Sequence, residues 1–273
     1  MSENAIGIFD SGLGGLTAAK ELIRVLPNEN IVYFGDTARV PYGSRSRSTI
    51  ITYARQDAYF LLSKGVKLII AACGTVSSVA GTLTNELPVP FTGVVVPTAA
   101  AAVSATGNGR IGVIGTYATV NSGSYKEEII RHNNRLEVYQ QACPMFVSLV
   151  ENGIIDPNDD IVKLLVARYL SPLKEQGIDT LILGCTHFPI IAQAISDYLG
   201  SEVTLIDSGR ETALYAAELL KSHKMLNTAS APGSCRYYVS DTVDSFEKTA
   251  EIFLGKSVAG AVSHINLEKV AVH

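Results

Sequence analysis

No two cysteines of this 273-residue chain are spaced Cys-x-x-Cys, and no second cysteine or histidine stands at zinc-ligand spacing from any of them. That excludes zinc-ribbon and dithiol-oxidoreductase readings. In a reducing compartment Cys73, Cys143, Cys185 and Cys235 are expected to be free thiols. Basic residues are scattered: the densest run is Arg39, Arg45 and Arg47, and the net charge is −4. An electrostatic footprint for nucleic acid is therefore lacking, and no nucleic-acid partner is expected. The most apolar stretches, 66–73 and 93–105, are too short or too interrupted to span a bilayer, so no membrane partner is expected. Met1-Ser2-Glu3-Asn4 has no basic n-region and no apolar signal core, and a cytoplasmic location is expected. The chain has no linker rich in Pro, Gly or Ser and no Walker A motif. No lysine sits in a context that marks a pyridoxal-phosphate Schiff base, and chemistry without metal or cofactor is the simplest expectation.

What is present is a chain that is 47% hydrophobic, long enough for one large domain or two of roughly 130 residues. Short β-branched runs alternate with helical stretches, which indicates α/β architecture. Strands are expected over 4–9, 30–34, 67–72, 92–96, 110–114, 136–140, 180–183, 203–206 and 236–239. Helices are expected over 15–25, 48–64, 75–85, from 99 to 105, and over 123–132, 159–176, 189–199, 212–222 and 245–253.

Two echoes link the halves. Phe9-Asp10-Ser11-Gly12 resembles Ile206-Asp207-Ser208-Gly209. Leu68-Ile69-Ile70-Ala71-Ala72-Cys73-Gly74-Thr75 resembles Leu181-Ile182-Leu183-Gly184-Cys185-Thr186. In the second pair an apolar strand ends in a cysteine and leads into an expected helix. The pattern suggests two related α/β units facing one another.

Ligands of open α/β sheets bind beyond the carboxyl ends of the strands, where Cys73 and Cys185 are expected. A helix N-terminus at each would favour thiolate and accept a carboxylate. Sulfurs on both sides of a small anion suit racemisation, because a thiolate removes the α-proton from one face and a thiol returns one to the other. The bland alternative is a pair of buried core cysteines, and that reading is favoured for Cys143 and Cys235. His187 could hold or supply the proton that sets the charge of Cys185, or be a turn residue. Asp10 could do the same for Cys73, take a substrate ammonium, or merely cap a helix with Ser11. Gly12-Leu13-Gly14-Gly15-Leu16-Thr17, with Asp36 further on, half resembles a dinucleotide fingerprint. Thr17 stands where the third glycine belongs, so the match is weak.

Nearly the whole chain resembles the glutamate racemases within the aspartate/glutamate racemase family. The carrying segments are Ile8-Phe9-Asp10-Ser11-Gly12-Leu13-Gly14-Gly15-Leu16-Thr17, Tyr33-Phe34-Gly35-Asp36-Thr37-Ala38-Arg39-Val40-Pro41-Tyr42-Gly43 and Leu183-Gly184-Cys185-Thr186-His187-Phe188-Pro189. Cys73-Gly74-Thr75, the run Arg110-Ile111-Gly112-Val113-Ile114-Gly115-Thr116, Ala142-Cys143-Pro144 and Leu149-Val150-Glu151 add to them.

The resemblance implies two similar parallel-sheet α/β domains facing one another across an active-site cleft. The first is discontinuous, 1–97 plus 208–273, and the second is 98–207. It implies cofactor-independent interconversion of L- and D-glutamate for peptidoglycan synthesis, by a homodimer. Cys73 and Cys185 would be the acid/base thiols, Cys73 for D-glutamate and Cys185 for L-glutamate. Asp10, His187 and Glu151 would assist them. Asp10, Ser11, Pro41, Tyr42, Gly43, Gly74, Thr75, Thr186 and His187 would form the substrate site. A racemase for aspartate or another amino acid, or a catalytically weakened binding or regulatory protein on the same scaffold, is the alternative. The departure that supports it is Gly74, where the family reads Cys-Asn-Thr with an Asn side chain that bonds substrate. On that reading, Gly74→Asn is expected to raise catalytic efficiency.

Overall fold

The computed structural model describes residues 2–267; Met1 and 268–273, the two ends of the expected first domain, lie outside the described residues. The chain runs β1 (Ile6–Asp10), α1 (Leu16–Val25), β2 (Ile31–Gly35), α2 (Arg47–Ser63), β3 (Leu68–Ala71), α3 (Gly74–Ser77) and β4 (Phe91–Gly93). It continues through α4 (Val95–Ala105), β5 (Arg110–Gly115), α5 (Tyr117–Ser122), α6 (Ser124–His132), β6 (Glu137–Ala142), α7 (Pro144–Glu151) and α8 (Asp160–Glu175). The remainder is β7 (Thr180–Leu183), α9 (Ala192–Leu199), β8 (Thr204–Asp207), α10 (Ser208–Ser222), β9 (Cys235–Val239), α11 (Val243–Leu254) and β10 (Val262–His264).

Among the described residues these strands form two wholly parallel sheets, ordered β10-β9-β2-β1-β3-β4 and β6-β5-β7-β8. The four-strand order β2-β1-β3-β4 in the first sheet is repeated by β6-β5-β7-β8 in the second. This repeat is the structural form of the sequence echo: β3 and β7, the two strands that precede the paired cysteines, hold equivalent places. Each sheet reverses its winding between the equivalent strands, β1 and β3 in one, β5 and β7 in the other. Such a switch point opens a crevice beyond the strand ends.

Helices cover both faces, so the central strands are buried on both sides and read as continuous apolar runs. Ile6, Ile8 and Phe9 of β1 are fully buried, and each contributes on the order of 1.5–3 kcal/mol through removal from water. Helix starts are capped where the sequence offers a short oxygen side chain: Ser46 for α2, Thr116 for α5, Asp159 for α8 and Asp207 for α10.

The structure corrects some expectations. The helix expected over 75–85 is one turn, α3, followed by a separate 3₁₀ turn over Gly81–Asn85. Serine hydroxyls compete there for backbone carbonyls: Ser77 donates to Ala71 O and Ser78 to Gly74 O. The strand expected over 92–96 stops at Gly93, and Val95 already begins α4, with Pro97 tolerated in its first turn. α5, α7 and β10 are elements that the periodicity did not announce.

Candidate active site

A cavity of about 460 Å³ lies where the two switch points face each other. It is lined by every residue that the family resemblance assigns to the site: Asp10, Ser11, Pro41, Tyr42, Gly43, Cys73, Gly74, Thr75, Glu151, Cys185, Thr186 and His187. β1 and β3 deliver Asp10 and Cys73 at their C-terminal ends, and β7 delivers Cys185. The structure also brings in Thr116 and Tyr117 beyond β5, and Pro144 and Ser148 of α7. Thr116 follows Gly115 at the end of a central parallel strand, which is the signal that marks its position from sequence. Cys143 and Cys235 are elsewhere. Cys143 is fully buried against Gln141 O, and Cys235 lies half-buried on β9.

Both cavity cysteines are 7% exposed, so they are reached through the cleft. Ser11 Oγ lies 3.5 Å from Cys73 Sγ. Burial pushes the Cys73 thiol up to about 12, and the neighbouring Asp10 carboxylate adds to the rise. The expected lowering at the start of α3 is present, from the Val76 N–H together with the Ser11 hydroxyl, but burial of the enclosed thiol outweighs it. At Cys185 the expected helix begins later than the sequence suggests. A turn and a 3₁₀ segment, Phe188–Ile191, precede α9.

What stands beside Cys185 instead is a charged relay. His187 Nδ1 lies 3.7 Å from Cys185 Sγ, and His187 Nε2 lies 3.0 Å from Glu151 Oε1. The imidazole also meets the edge of Phe253 from α11 at 5.4 Å between ring centres, which fixes its plane. Burial opposes charge on the ring, but the bonds to Cys185 and Glu151 overcome it and raise His187 to about 10. The two partners thus bias the ring towards its protonated form, in which both nitrogens are donors.

Asp10 is buried. Its Oδ2 accepts from Gly12 N–H at 2.9 Å, and its Oδ1 is enclosed without a hydrogen-bond partner of good geometry among the described residues. Burial raises this carboxyl, against the opposing pull of His187 and of the Gly12 and Gly15 N–H groups. A buried acceptor without a partner, on a residue that lines the cavity, is suited to a cationic donor.

The Pro41-Tyr42-Gly43 segment, entered through a cis Val40–Pro41 bond, is tied from behind. The Tyr42 hydroxyl points away into the protein, donating to Asp36, with Asp57 of α2 also within hydrogen-bond distance at 3.1 Å. Arg39 pairs with both carboxylates and with Gln56, and Ser240 donates to Asp36. Asp36 is fully committed to this cluster, which removes it as the ribose acceptor of a dinucleotide site. The glycine loop is filled from the protein side as well: a Cβ on Gly15 would meet Asp10 Cβ at 2.6 Å.

Two thiols, a buried carboxyl and a histidine thus line one cavity between the two sheets. Comparison with known proteins identifies the family. The chain matches the Asp/Glu/Hydantoin racemase family model over residues 18–216. It is 45% identical to the glutamate racemase of Geobacter metallireducens over 269 residues, 98% of each chain. Its fold superposes with a TM-score of 0.90 on the crystal structure of glutamate racemase from Francisella tularensis in complex with D-glutamate, at 39% identity, covering 98% of this chain and 99% of that one. The glutamate racemase from Thermus thermophilus in complex with β-chloro-D-alanine gives a TM-score of 0.88 at 41% identity, with 98% of each chain covered.

Proposed function

The chain belongs to the Asp/Glu/hydantoin racemase family, among the glutamate racemases, and from that premise we propose that it interconverts L- and D-glutamate with Cys73 and Cys185 as opposed acid and base. The observation that carries the proposal is the placement of these two thiols at the ends of equivalent strands, β3 and β7, in one cavity.

In one direction the Cys73 thiolate takes the α-proton, the electron pair passes into the substrate carboxylate, and the Cys185 thiol delivers a proton to the opposite face. The reverse direction exchanges the roles. Cys73 then acts as base on D-glutamate and Cys185 on L-glutamate. Asp10 Oδ1 takes the substrate ammonium, as its unpartnered, buried oxygen suggests. His187, held by Glu151, keeps a proton at Cys185 Sγ. Thr75 and Thr186 supply hydroxyls, and the Pro41-Tyr42-Gly43 segment closes one wall. We assign the two units as 1–97 with 208–273, and 98–207. The strands of the first sheet fall within 6–93 and 235–264, those of the second within 110–207. The proposal extends to a cytoplasmic homodimer that works without metal or cofactor and supplies D-glutamate for peptidoglycan. The described residues contain no helix long and apolar enough to cross a membrane.

A circular-dichroism time course on L-glutamate and on L-aspartate tests this reading. Decay of the glutamate signal to zero, with aspartate unchanged, is the expected result. Persistence of the glutamate signal alongside measurable glutamate binding assigns the protein to the binding class instead.

A further inference from the structure

Gly74 follows Cys73 directly, at the start of α3. A Cβ built on it would stand 2.3 Å from the carbonyl oxygen of Gly184, the residue before Cys185. That is far inside van der Waals contact, and the obstacle is backbone, which cannot rotate aside. Gly184 itself is pinned. Its N–H donates to Ile114 O at 2.8 Å, and a Cβ on Gly184 would meet the same oxygen at 2.7 Å. The turn that carries Cys185 is thus seated directly on the turn that carries Cys73, with no side chain between them.

The other side of that turn is gripped in the same way. A Cβ on Gly14 would fall 2.1 Å from Thr186 Oγ1 and 2.6 Å from the His187 ring. Hydrogen bonds flank the seat. Thr75 and Thr116 pair through their hydroxyls at 3.0 Å, and Ser124 Oγ donates to Ser78 Oγ at 2.9 Å. Thr17 Oγ1 donates to Thr186 O at 2.9 Å.

We infer that Gly74 is a positioning residue: by having no side chain it lets the two sheets' turns meet, and so sets the spacing between the two thiols. The inference rests on the two-thiol reading above. In this chain, where the two turns already touch, a side chain added at position 74 pushes the 184–187 turn back and moves Cys185 away from the substrate face opposite Cys73, a contact that relatives reading Cys-Asn-Thr must space differently. Racemisation needs both thiols in register. Removal of hydrogen chloride from a β-chloro amino acid needs one: a single thiolate takes the α-proton, the pair forms the Cα–Cβ double bond, and chloride departs with its bonding electrons. The resulting enamine tautomerises and is hydrolysed to a 2-oxo acid and ammonium.

The ratio of glutamate racemisation to elimination from 3-chloroglutamate therefore reads the spacing, and it is independent of the folded fraction because both reactions report on the same active molecules. For Gly74→Ala the ratio falls on the order of 100-fold, the cost of displacing a reacting group by about an ångström. Gly74→Asn falls at least as far. Gly81→Ala is the control, since nothing lies within 4 Å of a Cβ at Gly81, and its ratio stays at the wild-type value. Ser124→Ala loosens the same contact without adding an atom and shifts the ratio in the same direction, by less. Failure of the wild type to racemise glutamate would sink the two-thiol reading itself. A wild type that racemises, together with Gly74→Ala and Ser124→Ala proteins whose ratios match it, would overturn the inference alone.

Discussion

Cys73 is an enclosed thiol, and burial rather than chain position dominates its pKa, pushing it up to about 12. On the proposed mechanism, the thiolate therefore forms with substrate in the cleft rather than in advance. Replacing either cavity thiol by serine keeps the size of the side chain and removes its acidity. Cys73→Ser and Cys185→Ser are each expected to lower kcat for racemisation at least 100- to 10,000-fold with unchanged far-ultraviolet dichroism, whereas Cys143→Ser and Cys235→Ser remain active. Near-normal turnover by Cys185→Ser would remove Cys185 from the chemistry.

His187 offers a pH test. Its folded-state value, about 10, lies above the ordinary histidine value, so the imidazolium's contribution is complete below the ordinary range and is lost as pH rises through about 10. Activity is expected to fall on that alkaline side. Glu151→Gln keeps a hydrogen-bond acceptor but removes the charge, and the alkaline limb should move down by roughly one pH unit, a modest shift because Glu151 is 44% exposed on its side chain. A pH–kcat/KM profile that does not move would show that Glu151 does not hold the charge on His187. Gly74 belongs to the same scale. A sequence with one side chain fewer than its relatives invites restoring it, and Gly74→Asn then looks like a gain. The Gly184 carbonyl at 2.3 Å from the missing Cβ reverses that expectation, and nothing local to residue 74 announces it.

At the scale of elements, the wall segment Pro41-Tyr42-Gly43 has no helix or strand of its own and depends on the cluster behind it. Arg39 pairs with both carboxylates there, lying between Asp36 and Asp57. Burial and the Asp36 charge hold the Asp57 carboxyl well above the usual range. Arg39→Met would leave two buried carboxyl groups without their cation. We expect a loss of about 3 kcal/mol in urea unfolding, the low end for a broken buried pair because Arg39 is itself 20% exposed, together with a raised KM for glutamate. Unchanged stability and KM would show that the segment is held by its own packing.

The elements that carry the thiols were legible because both are apolar strands closed by a small residue and a cysteine; the strand expected over 180–183 is β7 residue for residue. α7, which carries Glu151, was not. Its run Pro144-Met145-Phe146-Val147-Ser148-Leu149-Val150 is apolar on most sides and has too few polar positions to show a helical period. β10 is a three-residue edge strand whose pairing with β9 is decided by tertiary contact.

At the scale of the whole molecule, the repeated strand order is what brings two equivalent strand ends, each followed by a cysteine, to one cavity. Dialysis against a chelator and then against buffer free of pyridoxal phosphate should leave racemisation intact; activity that vanishes and returns with added pyridoxal phosphate would contradict the proposal. The most direct measurement follows the label. With L-glutamate in deuterated water, analysed at low conversion, the D-glutamate formed should carry deuterium at Cα while the remaining L-glutamate keeps its protium. One thiol removes the proton and the other, already exchanged with solvent, supplies the deuteron. D-glutamate that retains the original proton, or L-glutamate that exchanges as fast as product forms, would mean that a single base serves both faces.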